Sequence, residues 1–368
     1  MPKLATTALV ALIAALALSR TGMSALHVHL ALAAGMLPLM VGAMLHFAPV
    51  LTRSGAARRS VAALPWLALL SGLTVVGAFA VPAWLIMGRN IAAGLALSAA
   101  LAVLGWMTAR SRAALSPAHP GLRWYQAALG CFALAMLSVL AMSLWPEHTL
   151  ALKRFHLHLN TLGLIGLTAV GTLQVLLPTA VGEMDGQAAT RLRRDLPLVL
   201  GGTLLIAGGA AWRTELAWLG MVLWLVPVVR MSAAWWRSYR PAVFSWHGAA
   251  PSLAGAAMGF LLILLLGPWH AGGGIVAADA AHGFIAAFLL PLVTGAVSQL
   301  LPLWLRPGVQ DAWHTELRKA LGRWSGLRAI LLVGGGLALT LGNPAGWLAV
   351  AVGMALFVVQ LPAIFTKK

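Results

Sequence analysis

Long apolar runs follow one another along the whole chain, broken only by short segments that carry charge, Pro or Gly. Runs of about 20 residues are what an α-helix needs to cross a bilayer. Twelve helices are predicted, at about 4–19, 25–50, 61–81, 90–109, 124–145, 154–180, 196–212, 215–236, 246–268, 279–304, 325–342 and 344–364. The breaks fit this division: Ser-Arg-Thr-Gly at 19–22, then 53–59, 110–121, 146–154, 182–195, 272–274 and 306–323. The first run follows a thin basic start, and no clean small-residue cleavage site comes after it. It therefore reads as the first span and not as a signal peptide.

Three of the runs share one pattern. The stretch from His27 reads HVHLALAAGMLPLMVGAMLHFAP, that from His156 reads HLHLNTLGLIGLTAVGTLQVLLP, and that from Ala280 reads AAHGFIAAFLLPLVTGAVSQLLP. In each, a His stands 20 residues before a Pro: His29 and Pro49, His158 and Pro178, His282 and Pro302. In each, a Gly stands 13 residues after that His, at Gly42, Gly171 and Gly295. A fixed internal period is the mark of a repeated unit. The three copies fall on the second, sixth and tenth runs, so the twelve helices divide into three units of four, about 1–122, 123–245 and 246–368, within one polytopic membrane domain. The glycines are expected to let neighbouring helices approach closely, and the prolines to end the helices.

Composition confirms the class. Of 368 residues, 61% are hydrophobic and 9% charged, too little charge for a soluble protein whose whole surface must face water. The single Cys excludes a disulfide framework or a cysteine metal cluster. The net charge of +17 is spread over short loops, which fits a membrane protein and not a nucleic-acid partner. With the N-terminus inside, 20 Lys and Arg fall in inner segments against 5 (Arg20, Arg89, Lys153, Arg154, Arg213) in outer ones. This asymmetry predicts a bacterial-type inner membrane protein with both termini cytoplasmic. Trp66, Trp84, Trp145, Trp235, Trp236 and Trp304 lie near run ends and read as an interfacial belt.

The orientation places His27, His29, His156, His158 and His282 at one depth, near the outer face. A His inside a bilayer is costly and marks a functional site. Residues two apart on a helix point about 200° apart, so each H-x-H pair can serve two pockets, one on either side. Imidazole suits heme iron and copper, and a heme between two helices takes one axial His from each. His148 and His270, near the outer face, are candidate ligands for a separate copper. His119 and His314 sit in basic loops and read as solvated. HExxH, EF-hand and GxxxxGK patterns are absent.

The first copy resembles the tenth helix of the catalytic subunit of heme–copper oxidases and nitric oxide reductases. The shared features are the HxH pair, Gly35, the small step Gly42-Ala43, and the end His46-Phe47-Ala48-Pro49. HLHLNTLGLIGLTAVG is similar to the same helix in divergent members. The resemblance implies an all-α, twelve-helix, subunit I-like fold with hemes near the outer side. One His of a pair would bind an active-site heme, and the other a low-spin heme. The copper-binding His-His pair of the seventh helix and the cross-linked Tyr segment are missing. The eight acidic residues all lie at run ends or in loops, so a proton-pumping oxidase is not expected. By size and plan the chain also resembles the NnrS family of heme- and copper-containing nitric-oxide-response membrane proteins.

The expectation is a heme protein, of b type, with copper as a second metal. It would be ligated by His29, His158 and His282, with His27 and His156 as second-pocket ligands. It would act on nitric oxide, dioxygen or electrons, as an oxidoreductase or a responder, with lipid and a redox partner as its associates. The alternative is a transporter or assembly factor for heme or copper; the methionine stripe Met36, Met40 and Met44 reads as packing first.

Overall fold

The computed structural model describes residues 1–20, 22 and 24–366. Lys367 and Lys368, counted in the charge asymmetry, and Thr21, in the first break, lie outside the described residues. The described chain is helical, with no strand among the described residues. The helices are α1 (Pro2–Leu18), α2 (Ala25–Leu51), α3 (Arg59–Ala80), α4 (Pro82–Ala113), α5 (Gly121–Leu144), α6 (Pro146–Ala180) and α7 (Ala188–Ala211). They continue with α8 (Thr214–Ser238), α9 (Ala250–Ala271), α10 (Ala277–Leu305), α11 (Ala312–Leu321), α12 (Ser325–Thr340) and α13 (Gly346–Val358). Eight of them, α2 to α6 and α8 to α10, are long and apolar enough to cross a membrane. The protein is a multi-pass helical membrane protein.

The three helices that carry the repeated pattern share a backbone feature. Each passes into a π-helical stretch beside its His: Leu30–Met36 in α2, Leu159–Gly166 in α6, and Phe284–Leu289 in α10. A π turn widens the helix by one residue per turn and frees carbonyls from the usual ladder. In α2 and α10 the cause is legible. Pro38 and Pro291 each stand nine residues after the His, and a Pro has no N–H to give the carbonyl one turn back. In α6 no Pro occupies that place. There Asn160 donates from Nδ2 to the His156 carbonyl at 2.8 Å, and the Thr161 hydroxyl donates to the Leu157 carbonyl at 3.0 Å, so side chains compete for the ladder.

Neighbouring helices pack onto these wide turns through small residues. Gly72 of α3 sits on the Ala33 carbonyl so closely that a Cβ would collide with it. A Cβ on Gly163 would lie 2.6 Å from Cys131 Cβ of α5. Gly259 of α9 and Gly336 of α12 both close on Ala287, again without room for a Cβ. The glycines 13 residues after each His behave alike. A Cβ there would meet Leu4 of α1 at 2.7 Å (Gly42), Trp124 of α5 at 2.8 Å (Gly171), and Leu253 and Ser252 of α9 at 3.0 Å (Gly295). In every case the partner is the helix that precedes the His helix. Pro49, Pro178 and Pro302 lie in the last turns, and the helices end within three residues of them.

The chain forms two compact units. The first comprises 3–172 and 186–227, the second 173–185 and 228–368. In the first, Trp124 and Trp224 are fully buried, and each indole N–H is satisfied: Trp124 Nε1 donates to the Leu192 carbonyl at 2.9 Å and Trp224 Nε1 to Thr203 Oγ1 at 3.0 Å. In the second, Phe260, Phe288, Phe357 and Arg328 are buried, and the Phe260 and Phe288 rings lie 4.7 Å apart. The Arg328 guanidinium lies over the Phe357 ring, 4.9 Å from its centroid, and donates to Ser252 Oγ at 3.2 Å. Trp66, Trp84, Trp145 and Trp236 are exposed, as a belt requires, whereas Trp235 is 2% exposed and belongs to the core. His314 is also a core residue at 2% exposure, not a solvated loop residue: its ring is within 2.7 Å of Asp311 Oδ1 and 2.8 Å of the Arg306 carbonyl.

Candidate cofactor site

The histidines of α2 and α6 stand at the entrances to their π-helical stretches. His29, the last residue before the first one, is half-buried, and its Nδ1 lies 2.6 Å from the Ala25 carbonyl one turn back. His156, also half-buried, has Nδ1 3.1 Å from the Ala135 carbonyl of α5. A carbonyl only accepts, so each Nδ1 must carry the proton. Each Nε2 is then left with its lone pair. The Asn160 amide nitrogen donates one hydrogen to the His156 carbonyl at 2.8 Å and lies farther, 3.3 Å, from His156 Nδ1; the shorter approach of the Ala135 carbonyl, which only accepts, is what places the proton on Nδ1. A carbonyl that accepts from one ring nitrogen, and so fixes the tautomer and aims the other nitrogen, is the usual support of a metal-ligating imidazole.

The two rings face one another. His29 and His156 lie nearly parallel, 17° between planes, with centroids 6.3 Å apart. Phe79 of α3 lies tilted beside the His29 ring, 4.7 Å between centroids. The donor set, two neutral imidazoles beside an apolar ring, fits an axially ligated heme iron or a Cu(I) ion.

The other sequence-chosen histidines have separate settings. His27, half-buried, closes the N-terminal cap of α2: the Ser24 backbone N–H donates to its Nδ1 at 3.3 Å, and Ser24 Oγ is 3.2 Å away. His158, also half-buried, bonds the Arg154 carbonyl through Nδ1 at 2.8 Å. His148 is exposed, 3.8 Å from Glu147. In the second unit, His270 bonds the Ile275 carbonyl through Nδ1 at 2.8 Å. His282 is 5% exposed, 3.7 Å from Asp279 Oδ1, and meets the Trp347 ring edge-on at 5.1 Å. Among the described residues, no group of three His, Cys, Asp or Glu converges so that it could hold a metal ion.

The sequence pattern aligned His29 with His158; the ring facing His29 is His156, two residues earlier on the opposite side of α6. Phe79 and the carbonyls of Ala25 and Ala135 gave no sequence signal, being ordinary groups in apolar helices. Asn160 did give one, a polar side chain inside an apolar run. No protein-family model matches the chain, and no curated protein or solved structure does so either.

Proposed function

We propose that this protein is a heme-binding membrane protein of the heme–copper oxidase type, with His29 and His156 as the axial ligands of one heme. The observation that carries the reading is the facing imidazole pair, with both Nδ1 positions spent on backbone carbonyls. Heme so ligated supplies one-electron transfer, and gas binding where one ligand is displaced. The protein's part would be to hold the two imidazoles close together with each Nδ1 engaged, beside Phe79. The exposed cations Lys153 and Arg154, on the turn before His156, suit the carboxylates of a heme edge. The chain's role is then in electron transfer or in the response to nitric oxide or another small gas.

The reading includes twelve spans, formed when α1, α7, α12 and α13 join the eight long apolar helices. It includes three four-helix repeats, an inner-membrane location, cytoplasmic termini, and the His29–His156 pair near the outer face. The recurrence of a π-helical stretch beside the patterned His in α2, α6 and α10 supports the repeat. A second reading, a carrier or assembly factor for heme or copper, is favoured by the partial exposure of both His29 and His156, which leaves the site open to exchange.

An absorption spectrum of the detergent-purified protein, oxidised and dithionite-reduced, with iron and copper analysis of the same sample, tests this. A sharp Soret band, split reduced α and β bands and near-stoichiometric iron are expected. Addition of carbon monoxide or nitric oxide then asks whether one ligand yields. Substoichiometric, easily lost heme favours the carrier. A colourless, iron-free protein expressed with ample heme rejects the heme proposal, and stoichiometric copper in its place assigns the pair to Cu(I).

A further inference from the structure

A second site lies in the other unit and makes no use of the histidine pair. A cleft of about 450 Å³ opens between the start of α9, the end of α10 and α11. Its chemistry is one-sided. Arg318, Lys319, Arg323, His247, Gln299 and Thr315 line it, and no carboxylate does. Hydrogen-bond donors therefore converge there with few acceptors to meet them.

The individual groups are held in donor states. The Trp324 backbone N–H donates to His247 Nδ1 at 3.1 Å, so in the neutral ring the proton sits on Nε2 and that nitrogen is a donor. Arg318 is anchored: Nε donates to the Gln299 carbonyl at 3.2 Å and one terminal nitrogen to Gln310 Oε1 at 2.6 Å. Its other terminal nitrogen is left unspent. Arg323 is exposed and has no acceptor for its guanidinium among the described residues. Lys319 pairs with Glu316 at 2.9 Å, an exposed and hence weak pair.

The second observation is Gln299. Its side chain is 7% exposed, lines the cleft, and makes no hydrogen bond to any described residue. An amide held in a largely buried residue, open to the cleft and without a protein partner, is free to bind a ligand there. Guanidinium groups recognise tetrahedral oxyanions with two parallel bonds, and a Lys adds a point charge. A volume of this size is in the range of small-ligand sites.

We infer that this cleft binds a phosphate group, carried by a free phosphate compound or by the headgroup of an anionic phospholipid. Arg318 and Arg323 take the phosphate oxygens, Lys319 turns from Glu316 to it, and Gln299 and His247 Nε2 complete the shell.

The test is the thermal unfolding of the full-length protein in detergent, followed by tryptophan fluorescence at constant ionic strength set with chloride. Inorganic phosphate is titrated in one series, and a soluble short-chain phosphatidylglycerol in another, with the matching phosphatidylcholine as control. A saturable rise in the midpoint with phosphate assigns a free phosphate compound. A rise with phosphatidylglycerol alone assigns the headgroup. In either case the double variant Arg323→Gln/Lys319→Gln, altered only at exposed side chains, should need at least tenfold more ligand. Gln299→Ala should weaken binding less. No rise with any probe, a rise with phosphatidylcholine equal to that with phosphatidylglycerol, or an unchanged titration in the double variant overturns the inference.

Discussion

His29 and His282 occupy the same place in the repeated pattern, yet their surroundings share almost nothing. His29 gives Nδ1 to a carbonyl of its own helix and turns its ring to a second imidazole. His282 is buried, lies 3.7 Å from a carboxylate and packs edge-on against an indole. At 3.7 Å the carboxylate is beyond a good hydrogen bond but close enough for an ion pair. The backbones beneath them are alike, since both helices are π-helical just past the His and carry a Pro nine residues on. The same local frame thus presents a His at the same position, and the neighbouring helices decide its chemistry. Beside His29 these are α3, with Phe79, and α6, with His156. Beside His282 the neighbour is α13, with Trp347.

That contrast can be broken most directly at the imidazoles. His29→Ala and His156→Ala should each lower bound iron per purified protein at least about tenfold, whereas His282→Ala should keep the iron and cost about 2 kcal/mol of stability. Equal iron in all three variants would remove the distinction between the two sites. A smaller effect is expected where the helices close on the π turns. Gly72→Val and Gly336→Val each force a side chain into backbone and should destabilise by about 3 kcal/mol. Only Gly72→Val should also shift the Soret band, because α3 carries Phe79 against His29. A Soret shift of the same size in Gly336→Val would show that the two frames are not separable in this way.

Much of the frame was legible in the sequence because its causes are local. Apolar run length marks the helices, and breaks such as Arg53 to Arg59 mark their ends. The regular glycines found their partners, as Gly171 does against Trp124, because a missing Cβ has the same consequence wherever helices pack. The pairing of the histidines was not legible in the same way. His156 faces His29 although the pattern aligns His158. Spacing along each helix does not fix which faces of two helices meet, so an aligned residue on one need not meet its equivalent on the other. Burial was read least well. His314 looked like a loop residue from the charges around it, but α11 folds it inward, where Asp311 and the Arg306 carbonyl hold the ring. That contact depends on the turn before α11, which apolar periodicity does not describe.

The smallest expected effect concerns the polar turns that stand before one helix in each unit, and it separates the units by pH. Ahead of α5, the Gly121 N–H donates to His119 Nδ1 at 3.2 Å. Burial, with Arg193 nearby as a lesser cause, holds His119 below its ordinary value of 6.5. The folded turn therefore prefers the neutral ring; its contribution is complete above 6.5 and is lost as pH falls through the lower folded value. Ahead of α11, hydrogen bonds from the His314 side chain and backbone hold Asp311 below its ordinary 3.8. That cap is complete above 3.8 and is lost only at still lower pH. Amide hydrogen exchange, corrected for the intrinsic pH dependence, reads the two turns separately. Between pH 7.5 and pH 5, protection of the 119–122 segment should fall severalfold while that of 311–315 holds. His119→Asn should abolish the change in the first segment. Loss of protection in both segments together would mean that acid acts on the molecule as a whole and not through these turns.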